Sequence, residues 1–195
     1  MKLHYRIGWL LMRGIAKLLW RYRISGSSAI PESGPVIIAS NHISFWDPIL
    51  VGLGCPREIH FMAKEELFTS PVLGWLIRAY NAFPVRRGIL DRQALRRAAE
   101  LLRQGEALLV FPEGTRSRTG TLGRGRPGIA FLACLGGAPI VPARIAGSNR
   151  LARHFLTRSP VTLSFGRPIA APEEGTREEY QALADRIMAD IGALE

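Results

Sequence analysis

Apolar positions along the chain follow two rhythms. Over residues 2–23 they recur at helical spacing: at about 100° per residue, Ile7, Leu11, Ile15, Leu18 and Tyr22 share one face, and Lys2, Arg6, Arg13 and Lys17 form a stripe opposite it or on its flank. Trp9 and Trp20 stand between the two. After a break over 25–35, short apolar runs alternate with helical patterns. The runs at 36–39, 59–62, 82–85, 107–111, 139–143 and 161–165 read as strands. Residues 91–104 read as a helix with Leu95, Ala98, Ala99 and Leu102 as its apolar stripe and Gly105 as its stop. A last helix opens with the capping box Thr176 to Glu179 and carries Tyr180, Leu183, Ala184, Ile187 and Ile191 at helical spacing. The alternation predicts an α/β fold: a single domain with a mostly parallel sheet flanked by helices, preceded by an amphipathic N-terminal helix.

Size agrees with this reading, since 195 residues support one sizeable core and leave little for a second. We divide the chain into a membrane-surface helix at 1–24 and a main domain at 25–195. Basic residues on one side of the first helix, apolar ones on the other and Trp at the border describe a helix lying in a lipid interface. The competing picture is a helix packed on the core with a solvated basic back. The longest apolar candidate for a membrane span, 127–143, is divided by Gly136, Gly137 and Pro139 and falls short of the ~20 residues a span needs. Arg13 and Lys17 interrupt any signal-peptide core. The expectation is a peripheral, monotopic protein on the cytoplasmic face of the cell membrane.

Charge narrows the partners. With 26 Lys and Arg against 16 Asp and Glu the net charge is +10, which favours anionic lipid, phosphorylated metabolites or nucleic acid. The basic residues recur in amphipathic helices without a nucleic-acid motif or a stacking platform, so a nucleic-acid or purely membrane-binding module is the weaker reading. Cys55 and Cys134 have neither metal-ligand nor disulfide-framework spacing, and no metal site is expected.

Three segments carry chemistry. Asn41-His42-Ile43-Ser44-Phe45-Trp46-Asp47 follows an apolar run and precedes Pro48, so a histidine and a carboxylate meet where a strand ends. An imidazole accepts a proton near neutral pH, and a carboxylate on its other nitrogen fixes the tautomer and stabilises the imidazolium. Asp47 before Pro48 also fits a helix N-cap followed by Pro at the first helical position. The second segment, Phe111-Pro112-Glu113-Gly114-Thr115-Arg116-Ser117-Arg118, has a glycine for close backbone approach, hydroxyls at Thr115 and Ser117, and a guanidinium fork at Arg116 suited to phosphate. The third, Phe83-Pro84-Val85-Arg86-Arg87-Gly88, puts two guanidinium groups after another strand, and Lys64 ends a further one.

Taken together these pieces resemble the glycerolipid acyltransferase family that includes 1-acylglycerol-3-phosphate acyltransferases. Its NHxSxxD motif is complete at 41–47 and its FPEGTRS motif at 111–117. The motif ending in Arg before Gly matches 83–88 with Arg87 as its arginine, although Asn81 stands near where a glycine is common. A Val-Pro pair appears as Val141 and Pro142. The resemblance covers about 35–147. It implies acyl transfer from acyl-CoA or acyl carrier protein to a glycerol phosphate hydroxyl, with no other cofactor. By that resemblance His42 and Asp47 are catalytic, and the substrate supplies the nucleophile. Arg116 and Arg87 hold the acceptor phosphate, Lys64 and Arg86 are further candidates, and Gly114, Thr115 and Glu113 shape the loop. A lysophosphatidate-type acceptor, giving phosphatidic acid, is the leading reading. A sister enzyme with another glycerolipid or aminolipid acceptor is the alternative. A helix N-terminus near Pro48 is the candidate source of oxyanion donors.

Overall fold

The computed structural model describes residues 1–86, 88–89, 91–151 and 159–194. Seven strands make one sheet: β1 Arg23–Ser25, β2 Val36–Ser40, β3 Ile59–Lys64, β4 Ala82–Val85, β5 Ala107–Val110, β6 Ile140–Ala146 and β7 Thr162–Phe165. Their spatial order is β1-β7-β6-β2-β5-β3-β4. The helices are α1 Leu3–Trp20, α2 Asp47–Gly54, α3 Pro71–Ala79, α4 Arg92–Arg103, α5 Gly128–Gly136 and α6 Arg177–Ala193. Each of the six apolar runs became a strand, and the sheet is parallel except where β7 runs against β6.

Strand β2 shows why the centre of the sheet is fixed. Val36, Ile37, Ile38 and Ala39 are fully buried. Successive side chains point to opposite faces, so Val36 and Ile38 join the core beneath α1 and α2 while Ile37 and Ala39 join the core beneath α4, α5 and α6. A one-residue slip of register would exchange side chains of different volume between two close-packed cores and move Ser40 and the loop after it, so the residue that leaves β2 is placed firmly. That residue leads directly to His42.

Helix ends behave as their sequences require. Asp91 Oδ1 accepts from Ala94 N at 3.1 Å to cap α4, and Thr176 and Glu179 make the reciprocal capping box of α6. Asn81, which stands near where a glycine is common in the motif, has φ +65°, a left-handed conformation that asparagine tolerates better than most side chains. Its amide donates to Glu58 Oε2 at 3.0 Å, and Glu58 also accepts from the backbone N–H of Lys2 at the start of α1.

The N-terminal segment differs from the expectation in two ways. Helix α1 ends at Trp20, and the chain turns into the sheet, so the boundary at residue 24 falls inside β1. Tyr22 is buried and donates to Leu50 O at 2.5 Å. The face of α1 that meets the protein is Tyr5, Trp9, Met12 and Ala16, with Trp9 Nε1 donating to Gly52 O at 3.2 Å. Ile7, Leu11 and Leu18 point the other way and are 57, 63 and 81% exposed, joined by Leu3 and Leu10. The helix therefore packs on the core and still presents an apolar stripe outward, with its basic residues between the two.

Strands β2, β3, β4, β5 and β6 run in one direction, so the segments after them collect along one edge of the sheet. His42, Lys64, Arg86, Glu113 and Arg116 all belong to that edge. Ligands in open α/β sheets bind there.

Candidate active site

The loop from β2 to α2 is organised around one carboxylate. Asp47 is fully buried and His42 nearly so, with His42 Nδ1 2.9 Å from Asp47 Oδ2. The same oxygen accepts from the main-chain N–H of Ile43 at 2.6 Å and of Ser44 at 2.7 Å. An ionised carboxylate only accepts, so Nδ1 carries the proton and Nε2 presents its lone pair away from Asp47. Phe111 lies flat on the imidazole, ring centroids 4.0 Å apart at 15°, and sets the plane of that lone pair.

Asp47 does not cap α2. Trp46 holds the cap position without a side-chain bond, Asp47 is the first helical residue, and its carboxylate folds back onto the preceding loop. The reason is competition: two loop amides and an imidazole offer this carboxylate three donors, where a capping side chain ordinarily takes one or two. The same bonding takes up four of the amides that lead into the helix. The amides of Ile43 and Ser44 are taken by Asp47, that of Trp46 by Ser44 Oγ at 3.2 Å and that of Asp47 by Ser44 O at 3.3 Å, and Pro48 has none.

The loop after β5 clasps this one. Glu113 is buried and accepts from His42 N at 3.2 Å through Oε1 and from Gly123 N at 3.1 Å through Oε2. Ser117 N donates to His42 O at 2.7 Å. Both backbone polar groups of His42 are thus bonded to the segment at 111–117. Gly114 stands at φ +70°, where an added Cβ would come within 3.0 Å of Arg126 Nε. Thr115 and Arg116 are exposed on the same loop.

The other cations lie further out. Lys64 is exposed and 2.9 Å from Glu66 Oε1. Arg86 turns towards Asp91, its N–H 2.9 Å and its Nε 3.6 Å from Asp91 Oδ2. Hydrogen bonds from the N–H groups of Arg86 and Ala94 hold the Asp91 carboxyl below its ordinary range. β4 is the third strand from β2, roughly 14 Å away at ~4.8 Å per strand, so the structure groups His42, Asp47, Glu113 and the Arg116 loop, and leaves Arg86 at the periphery. Arg87 lies outside the described residues.

Three residues at the site carry no role in the reading of the sequence given above. Phe111 was seen only as the start of its motif, yet it packs on the imidazole. Arg126 belongs to a Gly-Arg-rich stretch at 123–128 and is brought to the loop by the bond from its N–H to Pro112 O at 3.0 Å. Ser148 donates to Asp47 Oδ1 at 2.5 Å. Among the described residues no group of His, Cys, Asp and Glu is arranged to hold a metal. Both cysteines are free, and burial pushes the Cys55 thiol up to about 12.

Residues 21–146, which contain the whole of this site except Ser148, match the family model Acyltransferase. The chain belongs to the Acyltransferase family. It is 29% identical over 189 residues to the 1-acyl-sn-glycerol-3-phosphate acyltransferase of Bacillus subtilis, covering 94% of this chain and 93% of that one. It is 37% identical over 108 residues to the lyso-ornithine lipid O-acyltransferase of Pseudomonas aeruginosa, covering 55% of this chain and 40% of that one. The crystal structure of the 1-acyl-sn-glycerophosphate (LPA) acyltransferase PlsC from Thermotoga maritima superposes with a TM-score of 0.72 at 26% identity, over 99% of this acyltransferase and 84% of that chain.

Proposed function

We propose that this acyltransferase moves a fatty acyl group from acyl-CoA or acyl carrier protein to the free hydroxyl of 1-acyl-sn-glycerol 3-phosphate, giving phosphatidic acid. The observation that carries the reading is the buried His42–Asp47 pair, its Nε2 unengaged by Asp47, bracketed by the loop that bears Arg116. Two relatives of near-matching length are named for this acceptor, one by sequence and one by structure.

The geometry supports one mechanism. The acceptor hydroxyl attacks the thioester carbonyl as His42 Nε2 takes its proton; Asp47 offsets the charge that forms on the ring. The tetrahedral intermediate collapses, the C–S bond breaks, and the imidazolium returns the proton to the departing thiolate. No protein group becomes acylated. A positioned general base contributes roughly 10²–10⁴ in rate, and alignment of the two substrates supplies much of the rest. Arg116 grips the acceptor phosphate in a bidentate fork, with Arg87, Arg86 and Lys64 as outer charges.

The same reading puts the enzyme on the cytoplasmic face of the membrane. Among the described residues no helix is long and apolar enough to cross a bilayer. The outward stripe of α1 enters the interface, its basic flank faces anionic headgroups, and Val72 and Trp75 of α3, 77 and 69% exposed, extend the apolar surface. An apolar cavity of about 280 Å³ between α1, α2 and α3, lined by Trp9, Met12, Ile49, Phe61, Leu76 and Ile77, suits an acyl chain arriving from that side.

A lyso-ornithine lipid acceptor is the second reading, supported by the 37% identity to an enzyme of that name. Purified protein assayed with lysophosphatidate, glycerol 3-phosphate and lyso-ornithine lipid, each with acyl-CoA and with acyl carrier protein, decides between them. The highest kcat/KM on lysophosphatidate is expected. A higher value on either other acceptor would replace the reading.

A further inference from the structure

We propose that Ser148 is a positioning residue for the His42–Asp47 pair, acting through the second oxygen of the Asp47 carboxylate. The proposal rests on His42 being the general base. Ser148 is 101 residues from Asp47 in sequence and lies outside every motif quoted above. Its side chain is nonetheless buried, 1% exposed, and its hydroxyl donates to Asp47 Oδ1 at 2.5 Å. That distance belongs to the short, charge-assisted class of O–H···O⁻ bonds.

The chain delivers the hydroxyl through an identifiable sequence of contacts. Strand β6 lies parallel to β2, with Ala143 paired to Ser40. Beyond that pair the Asn41 side chain continues the ladder in place of backbone: its amide donates to Ile145 O at 3.0 Å and its carbonyl accepts from Ile145 N at 2.8 Å. Two residues later Gly147 turns at φ +81°, and Ser148 opens a short 3-10 turn that directs its side chain back towards Asp47. The asparagine at the start of the first motif therefore aligns the strand end from which Ser148 arises.

The need for such a bond is mechanical. Oδ2 of Asp47 holds three donors, His42 Nδ1 and the N–H groups of Ile43 and Ser44, all on one side. The two oxygens of a carboxylate exchange places by a half-turn about the Cβ–Cγ bond, and such an exchange would remake every bond to His42 and the loop amides. A donor on Oδ1, delivered from the end of β6, opposes that exchange by giving the carboxylate a second anchor, and so helps to hold Nε2 where the acceptor hydroxyl must meet it. The bond joins two protein side chains and Ser148 is buried, so its contribution is to alignment of the base and not to affinity.

The experiment is a kinetic cycle on the full chain with Ser148→Ala, Ser148→Thr, His42→Ala and the His42→Ala/Ser148→Ala double variant, using lysophosphatidate and acyl-CoA or acyl carrier protein. Ser148→Ala should lower kcat roughly ten-fold, short of the ~10²–10⁴ attached to the base itself, with both KM values within about two-fold of wild type. Ser148→Thr, which keeps the hydroxyl, should recover most of kcat. In the His42→Ala background the Ser148 change should cost nothing further, because the two act as one unit. A wild-type kcat in Ser148→Ala, a loss that threonine does not recover, or an equal fractional loss with and without His42 would each overturn the proposal. Should Ser148→Ala not fold, Ser148→Cys keeps the volume with a weak donor and takes its place with the same two outcomes. Full turnover in His42→Ala strikes the general-base reading itself, whereas wild-type kcat in Ser148→Ala beside an inactive His42→Ala strikes only the role of Ser148.

Discussion

Glu113 accepts a hydrogen bond from the backbone N–H of His42 at 3.2 Å, across 71 residues of sequence. The carboxylate thereby joins the loop that carries His42 to the loop that carries Arg116, and its other oxygen fixes the return of that loop at Gly123. Glu113 is buried and works on main chain, so its part is architectural, while Arg116 on the same turn is exposed and free to meet substrate.

Replacing Glu113 by Ala leaves two N–H groups without their acceptor. An orphaned buried donor costs about 1–3 kcal/mol, so a loss on the order of 2 kcal/mol is expected, near 4–8 °C in Tm for a chain of this size. Differential scanning calorimetry measures it. Activity should fall together with Tm, because His42 is released from the opposite loop.

Arg116→Lys should raise the acceptor KM about ten-fold and leave Tm within a degree, since the bidentate fork becomes a point charge on an exposed side chain. Arg86→Ala should change acceptor KM far less, because β4 is three strands from β2 and Arg86 already faces Asp91. Steady-state kinetics over a range of lysophosphatidate concentration distinguishes the two. Equal effects would mean that the phosphate sits nearer β4 than the strand order implies.

Ile7→Ser, Leu11→Ser and Leu18→Ser combined should weaken binding to anionic vesicles at least about ten-fold, since each apolar side chain buried in lipid is worth ~1.5–3 kcal/mol and ~1.4 kcal/mol is one decade. These side chains touch solvent in the folded protein, so Tm should not move. Vesicle sedimentation at two salt concentrations reads both the apolar and the electrostatic part. Deleting the whole segment is a poorer test, because it removes buried Tyr22 and part of β1.

His60 sets a pH dependence of stability. Burial disfavours its charged form and outweighs the attraction of Glu106, so its pKa in the folded state lies below the ordinary 6.5. As pH falls below ~6.5 the unfolded chain binds a proton that the folded chain resists, and stability declines until pH passes the folded value. Urea unfolding at pH 7, 6 and 5 should show this decline, and His60→Gln should reduce it. An identical slope in the variant would assign the effect elsewhere.

The sheet was legible because its strands are short, nearly continuous apolar runs divided by helical patterns, as buried parallel strands are. β1 was not: three residues, Arg23, Ile24 and Ser25, with alternating exposure at an edge, carry no run to detect. In α1 apolar residues occupy two opposite faces, and periodicity found Ile7, Leu11 and Leu18, the face that points outward; Tyr5, Trp9, Met12 and Ala16, which hold the helix to the core, formed the less obvious stripe. His42 and Asp47 were visible as a pair because both lie in one loop. Ser148 was invisible for the opposite reason, since its meeting with Asp47 depends on β6 pairing beside β2, a choice no local pattern announces.

The most direct measurement is acyl transfer to lysophosphatidate by purified His42→Ala, at saturating donor and acceptor, beside its thermal melt. If His42 is the base that takes the proton from the acceptor hydroxyl, kcat falls by at least about 10² while the melt shows a folded protein. A folded variant that turns over at the wild-type rate would contradict the account.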